Sequence, residues 1–158
     1  MYRIGTGQDS HRFSKDKEKK LVLGGIEFDW FGLEAKSDGD AVIHALCNAM
    51  SSAIGGPSIS RYADAMREQG IIDSKEYLKK VNEAVSERGY GVLNISISIE
   101  AKEPQIEPKV DEMKTKLSEL LDVDPKEIGI TATSGEGLTS VGNGDGIQVH
   151  CSVMLKKK

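Results

Sequence analysis

From residue 147 to 156 the chain alternates without a break. Ile147, Val149, Cys151, Val153 and Leu155 fall on one side, and Gln148, His150, Ser152, Met154 and Lys156 on the other. A period of two sustained this long describes a strand with one buried face, and such a strand needs a sheet around it. Other segments supply the neighbours. Residues 2 to 13 read as extended. Leu21-Val22-Leu23 and Ile26-Glu27-Phe28 read as a strand pair interrupted by Gly24-Gly25, and residues 92 to 99 are rich in β-branched side chains.

Three stretches carry helical spacing instead. Val42, Leu46, Ala49, Met50 and Ala53 recur at i, i+4, i+7, i+8 and i+11, which predicts a helix from Ser37 or Asp38 to about Ile54, stopped by Gly55-Gly56-Pro57. Asp73 with Glu76 three residues on, then Leu78, Val81 and Val85, and Gly89 past Arg88, predict a second helix. A third starts near Pro108, carries Val110, Met113, Leu117, Leu120 and Leu121 on one face, and ends before Asp124-Pro125. The order β-β-α-α-β-α-β-β, without an internal repeat, predicts an α/β (α+β) fold, a two-layer sandwich of a mixed β-sheet with helices on one face. At 158 residues the chain reads as a single domain over 1–158. The uncovered sheet face, with apolar strands at 92–99 and 147–155, is expected to need cover from other subunits.

Composition excludes several classes. A formal net charge of −4 carries no nucleic-acid footprint, and Lys156-Lys157-Lys158 reads as a solvated tail. No apolar run approaches the roughly 20 residues that cross a bilayer, so no membrane span is expected. The opening Met1-Tyr2-Arg3-Ile4-Gly5 lacks the charged and apolar regions of a signal peptide, and a cytoplasmic location is expected. There Cys47 and Cys151 would remain reduced, as small buried apolar residues.

The chemistry-bearing residues are few. Asp9 and His11 stand at i and i+2 of an extended segment, so both point to one face, about 6.6 Å apart along the strand. His44 lies two residues beyond Val42, turned about 200° from the apolar stripe, which predicts that it faces away from the core. One carboxylate and two imidazoles suit a borderline metal and leave a fourth tetrahedral position open. Spacing alone leaves ordinary polar surface as the alternative. Asp40, one turn before His44, is expected either to accept a hydrogen bond from behind the metal ligands or to be a solvated first-turn carboxylate. Gly5-x-Gly7 and Gly142-x-Gly144-x-Gly146 lack the context of a phosphate-binding motif and read as strand and turn glycines.

Beyond the metal residues, several separated motifs resemble one family, the 2-C-methyl-D-erythritol 2,4-cyclodiphosphate synthases. They are Arg3-Ile4-Gly5-Thr6-Gly7-Gln8-Asp9-Ser10-His11-Arg12-Phe13, Leu23-Gly24-Gly25-Ile26, Ser37-Asp38-Gly39-Asp40-Ala41-Val42-Ile43-His44, Ala101-Lys102-Glu103-Pro104-Gln105-Ile106-Glu107-Pro108 and Ala132-Thr133-Ser134-Gly135-Glu136. The resemblance spans roughly residues 2 to 155. It implies zinc on Asp9, His11 and His44, one ion per subunit, and magnesium or manganese at Glu136 with the substrate diphosphate. It also implies a cytosine site on the backbone of the loop holding Ala101, Pro104, Gln105, Ile106 and Glu107. The diphosphate loop would be Ala132, Thr133, Ser134, Gly135 and Glu136, and substrate contacts would extend to Ser10, Lys36 and Ser37. By the same resemblance the substrate is 4-diphosphocytidyl-2-C-methyl-D-erythritol 2-phosphate, the product a cyclic diphosphate plus CMP, and the assembly a homotrimer, joined through its sheet faces, with sites at subunit boundaries.

The chain departs from that pattern in places. Lys36 stands where the family has a histidine and Ser134 where it has a second threonine; both are expected to take the catalytic roles of the residues they replace. No aspartate matches the family's ribose contact, Asp64 being the only candidate in an altered segment, and Thr139-Ser140-Val141-Gly142-Asn143-Gly144-Asp145-Gly146 lacks the family's arginine near its central prenyl-phosphate cavity. Two other functions stay open on the residues alone: a zinc-dependent phosphohydrolase or phosphodiesterase, and a non-catalytic metal- or nucleotide-binding module.

Overall fold

The computed structural model describes residues 1–158. Strand β1 (Tyr2–Arg12) is followed by a hairpin of β2 (Lys20–Leu23) and β3 (Ile26–Phe31), and then by helices α1 (Ala41–Ala53), α2 (Ser60–Glu68) and α3 (Ser74–Glu87). Strand β4 (Tyr90–Ala101), helix α4 (Val110–Leu121), β5 (Ile128–Thr133) and β6 (Gly146–Lys157) complete the chain. The main sheet has the order β1-β6-β4-β5. Its pairs are antiparallel except β4 with β5, so the sheet is mixed as expected, while β2 and β3 stand apart as their own pair. The long strand β6 sits inside the sheet. Ile147, Val149, Cys151, Val153 and Leu155 all face the core, joined there by Ile95, Ile97 and Ile99 of β4.

The open face differs from the sequence expectation. Strands β4 and β6 leave no apolar row uncovered, because their isoleucines and valines all lie under the helices. The side turned outward carries Asn94, Ser96, Ser98 and Glu100 on β4 and Gln148, His150, Ser152, Met154 and Lys156 on β6. Apolar exposure on this face is confined mainly to Tyr2 and Ile4 of β1.

Helix α1 packs on β1 and β6, α3 lies beside α1 and over β4, and α4 lies on β5. The helix expected from Ser37 or Asp38 begins at Ala41, because Asp40 adopts a non-helical conformation and caps it, accepting the Ile43 N–H. Residues 60–68 form a helix that no apolar periodicity announced, since Ala63 is its only buried residue. The second predicted helix is found at α3 with Asp73 as its cap, and the third at α4 after a short 3₁₀ turn at Glu107–Lys109.

Alanines at 41, 45, 49 and 53 recur every four residues along α1 and form a ridge of small side chains. Beneath it, Gly5 and Gly7 offer β1 without side chains. A Cβ at Gly5 would lie 2.0 Å from the Ala49 carbonyl oxygen, and one at Gly7 2.1 Å from that of Ala45. Helix backbone thus rests on strand backbone. That explains glycines which on sequence alone were only strand glycines, and it buries α1 almost all round. His44 is therefore not turned to solvent as its helical angle predicted; it is 8% exposed.

We expect Gly7→Ala to force α1 off β1 and to cost about 3 kcal/mol or more, since the atoms it would meet, the Ala45 carbonyl, the Ala49 nitrogen and the Asn48 Cβ, include no flexible side-chain tip. Urea denaturation would measure it. A loss under about 1 kcal/mol would show that the helix backs away freely.

Candidate functional site

The pleat of β1 aligns Gly5, Gly7, Asp9 and His11 on the side that faces α1. The first two admit the helix, and the next two meet His44 on it. Asp9 Oδ2 lies 2.9 Å from His11 Nε2 and 3.1 Å from His44 Nδ1. One ligand-capable atom from each residue lies within 4.8 Å of the others. These are a carboxylate oxygen and two imidazole nitrogens, a donor set suited to zinc with one position left for substrate.

The tautomer of His11 follows from its partner. Its Nδ1 lies 2.8 Å from the Glu34 carbonyl oxygen, which only accepts, so Nδ1 carries the proton of the neutral ring. Nε2 then presents its lone pair to Asp9 and His44. That nitrogen is buried, and despite its contact with Asp9 it lacks the alignment of a hydrogen bond. A buried nitrogen left in this way beside a carboxylate and a second imidazole fits a cation.

Electrostatics of the cluster agree. Burial alone would push the Asp9 carboxyl up, but the close approach of the His11 and His44 rings, whose protonated forms it favours, outweighs it and holds Asp9 below its ordinary 3.8. The Asp9 contact raises His11 above 6.5 against the opposing effect of burial.

Asp40 does not serve the metal ligands as expected. It is fully buried, and its oxygens accept the backbone N–H groups of Gly24 at 2.9 Å, Gly25 at 2.7 Å and Ile43 at 2.9 Å. Burial pushes its carboxyl up to about 6 against the pull of these donors. The residue ties the β2–β3 turn to the start of α1, and it is neither solvated nor a partner of the His44 ring. The ring instead meets Ser74 Oγ at 2.8 Å and Ser37 Oγ at 3.3 Å. Sequence reading missed Ser74, which follows a helix cap and gave only a helix-start signal. It also missed Lys19, whose Nζ donates to the Ser37 carbonyl at 3.0 Å and pins the segment before α1.

The remaining predicted residues divide. Lys36 is exposed beside the buried Ser37. Ser10 does not join the triad, because the pleat of β1 sends it to the open sheet face. Asp64 sits on α2 and pairs with Arg67. The parallel pairing of β4 and β5 brings the loops beyond their C-terminal ends together. There residues 101–107 and 132–134 line a cavity of about 390 Å³, which gathers Ala101, Pro104, Gln105, Ile106, Glu107, Ala132, Thr133 and Ser134. Past it the chain turns through positive φ at Gly135, Glu136 and Gly137, presenting the exposed Glu136 carboxylate, with Ser134 Oγ accepting the Glu136 N–H at 3.2 Å. Asp9, His11 and His44 line no part of that cavity.

Residues 2–156 match the profile of the YgbB family. A 2-C-methyl-D-erythritol 2,4-cyclodiphosphate synthase from Chlamydia muridarum is 44% identical over 154 residues, 96% of this chain and 86% of that protein. Among solved structures, the bifunctional IspDF of Campylobacter jejuni superposes with a TM-score of 0.92 at 32% identity, over 100% of this chain and 43% of that longer one. The IspF–CDP complex of Plasmodium falciparum superposes with a TM-score of 0.87 at 25% identity, over 99% of this chain and 97% of that one.

In metal-stripped protein the cluster should stabilise the fold within a defined pH window. The raised His11 contributes fully below 6.5 and loses its contribution as pH rises through its folded value; the lowered Asp9 contributes above 3.8 and loses it as pH falls. The difference in Tm between wild type and His11→Gln, both in chelator, should therefore shrink as pH rises past 6.5. A difference that grows in that direction would contradict this electrostatic reading.

Proposed function

Because the chain belongs to the YgbB family, the 2-C-methyl-D-erythritol 2,4-cyclodiphosphate synthases of isoprenoid biosynthesis, it is a lyase that forms a cyclic diphosphate with release of CMP, and we propose which residues do so. The observation that carries the proposal is the convergence of Asp9, His11 and His44. The substrate is 4-diphosphocytidyl-2-C-methyl-D-erythritol 2-phosphate. An oxygen of its 2-phosphate bonds to the β-phosphorus while the bond from that phosphorus to the bridging oxygen breaks, and CMP leaves with the electron pair. No water is consumed, and no protein nucleophile is required.

The protein's task is then positioning and charge. Asp9, His11 and His44 would hold zinc and Glu136 would help hold magnesium or manganese, and these ions supply Lewis-acid charge to the diphosphate oxygens. The loop at 101–107 receives the cytosine on its backbone, with Ile106 buried beneath it. Thr133 and Ser134 offer hydroxyls toward the diphosphate. Lys36 offers a point charge to the phosphates from the rim of the triad, where a family histidine would stand.

The assembly we propose is a homotrimer that meets through the open sheet faces. The outward residues of β4 and β6 support it. Across the middle of the face, Asn94, Ser96, Ser98, Gln148, His150 and Ser152 include no acidic residue, lysine or arginine, and Glu100 and Lys156 stand toward the strand ends, so burial of the middle carries little charge penalty. The triad of one copy and the nucleotide cavity of the next would together make one site. Free thiols at the buried Cys47 and Cys151 suit a cytoplasmic location.

Phosphorus NMR of the product, with zinc and magnesium present, should show the cyclic diphosphate together with CMP. Inorganic phosphate or an open-chain product would overturn the reaction. Lys36→Ala should lower kcat by about tenfold with little change in KM. Unchanged turnover would remove Lys36 from the chemistry. His44→Ala and Glu136→Ala should each be inactive alone. Mixed after dissociation and reassembly, they should regain about one quarter of wild-type activity, because half the boundaries carry an intact triad and half of those meet an intact Glu136 loop. Mixed trimers that recover nothing would refute the shared site.

A further inference from the structure

We propose that Ser74 and Asp38 act as positioning residues for His44, forming a hydrogen-bonded relay that fixes which ring nitrogen faces the metal position. The proposal rests on the zinc reading above. Asp38 is a carboxylate, an acceptor only, and it takes two hydrogen bonds from Ser74: the backbone N–H reaches Oδ2 at 3.0 Å, and the hydroxyl reaches Oδ1. A serine hydroxyl has one proton, and here it is committed to Asp38. The same oxygen lies 2.8 Å from His44 Nε2, so it can only accept from that nitrogen. Nε2 therefore carries the ring proton, and the lone pair is left on Nδ1, which faces Asp9 at 3.1 Å.

The two histidines thus present opposite nitrogens to one point. His11 uses Nε2 because a backbone carbonyl holds its Nδ1–H; His44 uses Nδ1 because Ser74 holds its Nε2–H. Only the second device depends on side chains, so only it can be removed by substitution.

Burial makes the relay exclusive. Ser74 is fully buried, which leaves no room for water to replace its hydroxyl without rearrangement. Ser37 Oγ lies farther from Nε2, at 3.3 Å, and already receives the Gly39 N–H at 3.3 Å. The framework around Ser74 is fixed from both sides. Asp73 caps α3 by accepting the Lys75 N–H, and the Asp38 N–H donates to the Ile72 carbonyl at 2.9 Å. His44 is thereby clasped between β1 through Asp9 and the first turn of α3 through Ser74. Hydrogen-bond partners of this kind typically account for 10- to 100-fold in metal affinity.

The test is zinc affinity, measured by competition with a chromophoric chelator, together with the visible spectrum of the cobalt-substituted protein. Ser74→Ala should bind zinc about 10- to 100-fold more weakly than wild type and give an altered cobalt spectrum. Ser74→Thr, which keeps the oxygen, should restore affinity to within about threefold. Asp38→Asn, which accepts the hydroxyl but opposes the Ser74 N–H, should fall between wild type and Ser74→Ala. A purely structural Ser74 would lower the Tm of metal-free protein while leaving zinc affinity and cobalt spectrum unchanged. Zinc affinity of Ser74→Ala within twofold of wild type would therefore overturn the relay and leave the metal site standing. Wild-type protein that binds no zinc would overturn the metal reading itself, and the relay with it.

Discussion

The contact between α1 and β1 governs the rest. Gly5 and Gly7 leave no side chain between strand and helix, and the alanine ridge at 41, 45, 49 and 53 removes bulk from the other side. Close backbone approach then sets the height of His44 above Asp9 and His11. Had either layer carried larger side chains, α1 would ride several ångströms higher and the three donors could not share one ion. The same strand face that admits the helix at its first half presents Asp9 and His11 at its second. Packing and chemistry are consecutive segments of one pleat.

Around this contact the protein handles its buried and half-buried carboxylates in distinct ways. Asp40 is neutralised by backbone: three N–H groups converge on it and lock the β2–β3 turn to the helix start. Asp38 is occupied by Ser74. Asp9 alone turns toward two imidazoles whose outer nitrogens are already engaged, so its charge remains available to a cation. A buried carboxylate that accepts backbone donors is tied up in the fold, whereas one with ring lone pairs beside it is free to meet a cation. At the opposite edge of the sheet, parallel β4 and β5 gather the two loops that line the cavity at 101–107 and 132–134. The cavity and the triad have no residue in common, in keeping with the proposed site shared between copies.

Much of this was legible in the sequence where a period or a motif sufficed. The alternation in β6 gave the sheet its buried face, and Asp9-x-His11 gave two ligands their common side, because strand parity is a local property. Helix α1 shows where local reasoning ends. Its stripe predicted one buried face and an outward His44, but a helix enclosed by β1, β6 and α3 buries nearly every side, and no single-helix pattern contains that information. Helix α2 escaped notice because one buried residue, Ala63, gives no period to read. The role of Asp40 depended on Gly24 and Gly25 folding back from 15 residues away or more, and that of Ser74 on α3 meeting α1. The open sheet face was misjudged for a related reason. The strands at 92–99 and 147–155 were expected to leave apolar surface on the open face, whereas the isoleucines and valines that make them apolar face the helices.

Whether this packing makes a zinc site of one carboxylate and two imidazoles is decided by X-ray absorption at the zinc edge of the loaded protein. Only nitrogen and oxygen neighbours at about 2.0–2.2 Å are expected, with the multiple-scattering signature of two imidazoles. A sulfur shell at about 2.3 Å, which would bring Cys47 or Cys151 into the coordination, or a spectrum without imidazole, would contradict it.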